Sequence, residues 1–325
     1  MTEKPRTIAK GTFEEEIYQG LTDFPKHLSS KYFYDQRGDK LFQDIMNLPE
    51  YYLTNAEHDI FNIHKHDIST LFTAGNSSFK LIELGAGDGR KTKVLLEYLT
   101  KIKADFKFLP IDISQNVLNQ LQESINRDLP SVHIEPIQGT YFDILHRINI
   151  ENGTKKVILF LGSNIGNLTH MQAIDFLHHV GDFMNDDDLF FVGFDQKKDP
   201  QLILDAYNDS AGITAAFNKN ILLRINKELD ADFDLDQFKH WEVYNPESGT
   251  AKSYLVSKIK QSVTIKKMGL NVNFEAWETI HTEISQKYDA PVIASLAQKS
   301  GLQIVATYSD SKNQFKNYAF KKIKS

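Results

Sequence analysis

Leu81-Ile82-Glu83-Leu84-Gly85-Ala86-Gly87-Asp88-Gly89 runs from a short apolar stretch through an acidic residue into glycine at every second position, and Arg90-Lys91-Thr92 then opens a helical pattern. That grammar is strand, tight turn, helix, with the backbone left bare where a ligand can approach. Glycine suits such a turn because a side chain would block the approach and because the turn often demands positive φ. The spacing is G-x-G-x-G, whereas the dinucleotide fingerprint is G-x-G-x-x-G. An acidic residue just ahead of the first glycine fits an S-adenosylmethionine (SAM) site better than a nicotinamide one. Glycine turns after buried strands also occur with no ligand, so the rest of the chain has to decide.

Working outward, Thr92 to Leu99 has helical spacing, and Phe106-Lys107-Phe108-Leu109-Pro110-Ile111 reads as a strand ending in Asp112. A helix follows, with Ser114 as its N-cap. Val132 to Ile137, Val157 to Leu161 and Leu189 to Phe194 read as further strands, the last two being continuous apolar runs as expected of parallel strands covered on both faces. Met171 to Val180 reads as a crossover helix between them. The alternation predicts a doubly wound parallel sheet. It then stops: Gln201 to Leu229 reads as helical, and Trp241 to Phe274 as short β runs (Trp241 to Tyr244, Ser253 to Ser257, Ser262 to Ile265, Leu270 to Phe274). A last helix from Pro291 to Lys299, Gly301 as its C-cap, and strands over Leu302 to Tyr308 and Tyr318 to Ile323 return to the first pattern. The expected architecture is α/β, a Rossmann-like sheet over residues 75–200 plus 288–325, with a second, smaller α+β substrate-binding domain made of 1–74 plus 201–287.

Composition bounds the chemistry. A chain of 325 residues without cysteine excludes disulfides, thiolate metal sites and cysteine nucleophiles, and suits a reducing cytoplasm. Met1-Thr2-Glu3-Lys4-Pro5 has no apolar core like that of a signal peptide. No apolar run approaches bilayer length. A net charge of −6 argues against nucleic acid as the main partner, and Lys266-Lys267 and Lys321-Lys322-Ile323-Lys324 read as solvated surface. The eleven histidines make no metal site: His58, His64 and His66 are loosely ordered, and His178-His179 point to different helix faces. Ser163 lacks nucleophile-elbow spacing. A monomer acting on a small molecule is expected.

In an open α/β sheet, ligands sit beyond the carboxyl ends of the strands, which gathers Gly85 to Gly89, Asp112, the segment after Ile137 and the segment after Leu161. A carboxylate at Asp112 can accept both ribose hydroxyls of an adenosyl group, or simply cap the following helix. Lys91 can hold the methionine carboxylate of SAM, helped by helix-start N–H groups, or be mere surface. The stretch Phe160-Leu161-Gly162-Ser163-Asn164-Ile165-Gly166-Asn167-Leu168-Thr169 suits a loop offering amides to a polar substrate, or a loop of ordinary turn asparagines. In Ile280-His281-Thr282-Glu283-Ile284-Ser285, an extended chain puts His281, Glu283 and Ser285 on one face, either to recognise a ring with N–H donors or as the solvated side of an edge strand.

Several stretches together resemble the histidine-specific SAM-dependent methyltransferases. They are Lys31-Tyr32-Phe33-Tyr34-Asp35, Leu48-Pro49-Glu50-Tyr51-Tyr52-Leu53-Thr54, the 160–169 segment, Ala206-Tyr207-Asn208-Asp209, Thr214-Ala215-Ala216-Phe217-Asn218, Ala231-Asp232-Phe233-Asp234-Leu235 and Thr282-Glu283-Ile284-Ser285. The resemblance extends from about Tyr18 onward and includes the insertion that generic methyltransferases lack. It implies an enzyme that methylates the α-amine of L-histidine up to Nα-trimethylhistidine (hercynine), on the route to ergothioneine, with SAM as co-substrate and no metal. Relatives that methylate a tryptophan-derived amine make another aromatic amino acid or amine the alternative substrate.

By the same resemblance, Gly85, Gly87, Lys91, Asp112, Thr140 and Tyr141 line the SAM site. Asn167 and Tyr207 hold the substrate α-carboxylate and orient its amine. Tyr34 lies beside that amine as the catalytic residue, and Tyr51, Glu283 and Ser285 read the imidazole. Two positions depart from the family pattern: Thr140 stands where an acidic residue is usual, and Ser253 where a methionine near the side-chain pocket is often found. A nicotinamide oxidoreductase and a non-catalytic SAM-binding subunit are the remaining rival readings.

Overall fold

The computed structural model describes residues 11–75, 78–149 and 154–323, so Met1 to Pro5 and Lys324 lie outside the described residues. The chain divides into two compact units, Leu53–Lys198 with Gln286–Ser325, and Met1–Tyr52 with Asp199–Ser285. The helix Tyr52–Thr73, assigned from sequence to the smaller domain, falls almost wholly in the sheet-bearing unit. Its packing explains why: Phe61 and Phe72 are fully buried with ring centroids 6.2 and 5.5 Å from that of Phe191 in the sheet.

The larger unit is built on a seven-stranded sheet in the order Leu302–Ser309, Phe315–Lys322, Leu189–Asp195, Lys155–Phe160, Phe79–Leu84, Phe106–Asp112, Ile137–Gln138. The last five of these run parallel, and Phe315–Lys322 is antiparallel to both of its neighbours. Every residue of Leu189–Asp195 is buried, which is why that strand shows no polar alternation in the sequence. Ile82, Leu84, Ile158, Phe160, Phe190, Val192 and Phe194 form one core with Phe176 and Leu177 of the helix His170–Asp182 and Ile293 and Leu296 of the helix Ala290–Lys299. Phe79–Leu84 pairs with Phe106–Asp112 on one side and Lys155–Phe160 on the other. The strand order therefore reverses there, and a doubly wound sheet opens its ligand crevice at such a point. Since Glu83 pairs with Leu159, the glycine turn and the 161–167 loop leave the sheet side by side.

Three elements differ from the sequence reading. The strand expected over Val132 to Ile137 is reduced to Ile137–Gln138 plus a bridge between Ile134 and Phe108. Pro136 interrupts it because proline has no N–H for the ladder. Helix Tyr141–Asn149 follows, unread in the sequence. The helical stretch expected from Gln201 to Leu229 is two helices, Pro200–Tyr207 and Ile213–Leu229. Between them Gly212 takes φ +74, and the Asp209 carboxylate accepts from the N–H groups of Ile213 (2.9 Å) and Thr214 (2.7 Å), which stops one helix and starts the next.

In the smaller unit these two helices pack on a three-stranded antiparallel sheet, ordered Thr279–Gln286, Thr250–Ser257, Phe238–Asn245. Burial alternates along Phe238–Asn245 and Thr250–Ser257, the mark of a sheet covered on one face. Gln261–Ile265 and Leu270–Phe274 form a separate two-stranded ribbon. The N-terminal helices Phe13–Thr22 and Gln36–Ile45 complete the unit. Asn220 Nδ2 ties the Tyr34 segment down by donating to the Phe33 carbonyl and the Asp35 carboxylate, both at 2.9 Å.

The 161–167 loop is pinned from behind: the buried Tyr288 hydroxyl donates to the Ile165 carbonyl at 3.0 Å. The same carbonyl also accepts from the Leu168 N–H at 3.2 Å, so Tyr288→Phe removes one of its two partners, and chemical denaturation is expected to show a loss of about 0.5–1.5 kcal/mol with the fold retained.

Candidate active site

The glycine turn holds three left-handed glycines at alternate positions, with φ +71 at Gly85, +55 at Gly87 and +64 at Gly89. At Gly85 there is a second reason for glycine. A β-carbon there would lie 2.7 Å from the Tyr141 hydroxyl and 3.4 Å from Asn164 Nδ2, so the notch exists only while the position is bare. Tyr141 is set by edge contacts with Phe160 (5.8 Å) and Phe176 (6.5 Å), and burial, then the charge of Asp112, raises its phenol above the usual range.

Asp112 faces the same turn: one carboxylate oxygen accepts from Gly87 N at 3.4 Å and the other from Ser114 N at 2.9 Å. The cap of the next helix is Ser114, whose hydroxyl accepts from Val117 N, so capping is not the role of Asp112. Burial raises its carboxyl from the usual value. Thr140 is exposed beside Tyr141, and its hydroxyl donates to Asp143 at 2.5 Å. Lys91 is not mere surface: its ammonium pairs with the fully buried carboxylate of Glu57 at 2.5 Å. Gly85, Gly87, Asp112 and Tyr141 are thus brought together, with Asn164 as a neighbour the sequence reading did not single out.

In the 161–167 loop, Gly162 and Ser163 are both left-handed and Asn164–Asn167 forms a 3-10 turn. The Ser163 hydroxyl accepts from Asp195 N at 3.1 Å. The Asp195 carboxylate, fully buried at the end of its strand, pairs with Lys287 at 2.9 Å and with Lys198. Burial pushes the Asp195 carboxyl up, but the two lysines outweigh it and hold the group below its usual range. Burial brings Lys198 down to about 8. Asn167 is exposed at the end of the turn.

The remaining candidates lie in the smaller unit. Tyr207 and Ser285 are buried and share a 2.7 Å hydroxyl–hydroxyl bond, and the Tyr51 ring meets the Tyr207 ring edge-on at 6.4 Å. Phe42 links Tyr51 to Tyr34, at 6.3 and 5.7 Å between centroids. Tyr34 keeps 36% of its surface exposed while packing on Phe217 at 5.4 Å. Glu283 is half-buried two residues before Ser285, on the edge strand of the three-stranded sheet. Ser253 donates to the buried Glu242 carboxylate at 2.7 Å, and its carbonyl accepts from Thr282, whose hydroxyl also meets Asn218 at 2.9 Å. This buried polar chain had no signature in the sequence, since its members lie on three strands and a helix. Among the described residues, no group of three or more His, Cys, Asp or Glu could hold a metal, and no helix is long and apolar enough to cross a membrane.

A doubly wound sheet with a bare left-handed turn at its switch point and a carboxylate on the neighbouring strand is a Rossmann-like nucleoside-binding architecture, the one on which SAM-dependent methyltransferases are built. The chain matches the family described as "Histidine-specific methyltransferase, SAM-dependent" over residues 13–322, and it belongs to that family. It is 34% identical over 300 residues to the histidine N-alpha-methyltransferase of Mycobacterium tuberculosis, covering 92% of each chain. Identity to the protein of the same name from Mycolicibacterium smegmatis is 35% over 308 residues, 94% of each chain. Ergothioneine biosynthesis protein 1 of Schizosaccharomyces pombe is 29% identical over 91% of this chain and 39% of its own.

The acidic residue ahead of the glycines behaves unusually. Glu83 Oε1 accepts from the Thr92 hydroxyl at 2.7 Å, Oε2 has no partner among the described residues, and burial raises the carboxyl from 4.5 to about 8. A carboxyl whose pKa is higher in the folded state stabilises the fold below its unfolded value and loses that contribution as pH rises through the folded one. The stability of the wild type relative to Glu83→Gln is therefore expected to fall by about 1 kcal/mol per pH unit between roughly pH 5 and 8 and to level off above. Paired denaturation curves measure it, and a flat difference would show Glu83 already ionised in the fold.

Proposed function

We propose that this chain transfers methyl groups from SAM to the α-amino nitrogen of L-histidine, up to the trimethylated product hercynine, as a cytoplasmic enzyme working on a free amino acid. The observation that carries this is end-to-end similarity to two proteins named histidine N-alpha-methyltransferase, through both units rather than the sheet alone. Ergothioneine synthesis as the setting is supported by the name of the fission-yeast relative.

The cleft fits SAM on its own terms: the notch at Gly85 is one a β-carbon would fill, and Asp112 turns a carboxylate to the same turn. When bound, SAM supplies a methyl group on a positively charged sulfur. Gly85, Gly87, Asp112, Thr140 and Tyr141 would hold its adenosyl part, Asp112 by accepting from the ribose hydroxyls. Lys91 would meet the methionine carboxylate. With threonine at 140, adenine recognition there rests on a neutral hydroxyl.

Asn167 and Tyr207 would hold the substrate α-carboxylate and orient its amine, with Tyr34 beside the nitrogen as the catalytic residue. Attack needs a neutral amine, and a nearby positive charge lowers the amine pKa, so these residues need supply no strong base. Their contribution is alignment, worth on the order of 7–11 kcal/mol when reacting atoms are held in line. The Tyr34 ring also suits the increasingly methylated, permanently charged nitrogen by cation–π attraction. Tyr51, Glu283 and Ser285 would read the imidazole. Selectivity follows from desolvation: a carboxylate or hydroxyl shut in without an N–H partner costs several kcal/mol, which disfavours apolar side chains.

The test is to incubate the enzyme with SAM and a panel containing histidine, tryptophan, tyrosine and their decarboxylated amines, and to weigh the products. Histidine is expected to gain three methyl groups; methylation of tryptophan or an amine in preference to histidine overturns the proposal. Glu283→Ala is expected to raise the KM for histidine at least about tenfold, the worth of one charge-assisted hydrogen bond, while calorimetry shows SAM affinity unchanged. Equal losses in both would remove Glu283 from the imidazole pocket.

A further inference from the structure

Glu57, on the helix Tyr52–Thr73, is fully buried, yet its carboxylate reaches three segments far apart in the sequence. Oε2 accepts from Lys91 Nζ at 2.5 Å and from the Gly162 N–H at 2.7 Å, and Oε1 accepts from Asn317 Nδ2 at 2.8 Å. The sheet makes room for it: a β-carbon at Gly193 would lie 2.2 Å from Glu57 Oε1. Gly193 has no turn to make in mid-strand, where glycine weakens the ladder, so its use there answers to this close approach and to the Phe315 ring, 2.9 Å from the same point.

A buried ion pair is a poor source of stability, because the desolvation of both ions offsets their attraction. What it supplies is placement. The lysine stem is flexible and its ammonium carries three donors, of which Glu57 takes one. The Lys91 side chain stays 19% exposed, and its ammonium lies against the 161–167 loop, 3.3 Å from where a β-carbon of Gly162 would sit. Asn164 lies between that point and the notch at Gly85, with its amide within 3.9 Å of the first and 3.4 Å of the second. One carboxylate therefore sets both a cation and a loop that border the glycine notch.

We propose that Glu57 is a positioning residue of the SAM site: through Lys91 and the Gly162 N–H it fixes where the amino-acid end of SAM is received. The proposal rests on the assignment of Lys91 to the methionine carboxylate. The experiment is calorimetric titration of the full chain with S-adenosylhomocysteine, which keeps that carboxylate, and with 5′-methylthioadenosine, which lacks it. Glu57→Gln is expected to weaken S-adenosylhomocysteine about 10- to 100-fold, the worth of one charge-assisted bond, and to leave 5′-methylthioadenosine within about twofold. Lys91→Met should reproduce the selective loss, and the double variant should add little to it, because the two residues act as one unit.

Glu57→Asp, which draws the carboxylate back from Lys91 and Gly162 without removing its charge, is expected to act in the same direction and decides the matter if Glu57→Gln does not fold. Equal weakening of both ligands by either variant would mean a general structural role and overturn the proposal. A selective loss in Lys91→Met with none in Glu57→Gln overturns the role of Glu57 and leaves Lys91 standing. No selective loss in Lys91→Met overturns both.

Discussion

The reversal of strand order at Phe79–Leu84 is the constraint on which the larger unit turns. Helices that follow strands on either side of that point leave in opposite directions, and the backbone beyond Leu84 is left uncovered. A chain that exits there must turn at once into Arg90–Lys101 without placing a side chain in the gap. Three left-handed glycines within five residues are the solution, and Gly85 is bound twice over, by its φ and by the Tyr141 hydroxyl opposite. The neighbouring exit, from Lys155–Phe160, is solved with a left-handed pair at Gly162 and Ser163. The crevice is thus a consequence of topology first and of residue chemistry second.

Around that crevice the fold buries three carboxylates and settles each differently. Glu83 has one hydroxyl donor, and burial raises its carboxyl to about 8. Glu57 keeps a lysine, a backbone N–H and an amide. Asp195 is held by two lysines, low enough that burial does not neutralise it. The contrast between Glu83, raised, and Asp195, lowered, follows the number and charge of the donors each meets, as expected where desolvation and pairing compete. The Glu57 carboxylate also touches the 161–167 loop through the Gly162 N–H, while Asp195 meets it only with its backbone N–H, which donates to the Ser163 hydroxyl. A loop whose sequence reads as a poor helix and a poor core is therefore held from behind by one carboxylate, one backbone N–H and the Tyr288 hydroxyl.

Much of this was legible in the chain because the signals are local. Ser114 as a cap, the double-sided burial of Leu189–Asp195, and the glycine turn each depend on residues within a few positions of one another. Pro136 was equally local, but its effect is on a ladder whose partner strand is remote, so the shortened edge was missed. Glu57 left no local signal: it reads as one more acidic residue on an amphipathic helix, and its importance lies in partners 34, 105 and 260 residues away. The glycine that admits it, Gly193 inside an apolar strand, was a usable clue, since glycine there has no turn to make.

The candidates for reading the amino acid follow the same logic with neutral groups. Tyr207 and Ser285 satisfy each other at 2.7 Å in a buried setting, so a ligand that displaces that bond must return one as good. Ser253 is likewise already engaged with Glu242, and Thr282 with Asn218. Under the proposed assignment the smaller unit therefore discriminates less by shape than by exchange: an imidazole brings N–H and N groups able to replace internal partners, whereas an indole brings one N–H and a large apolar face.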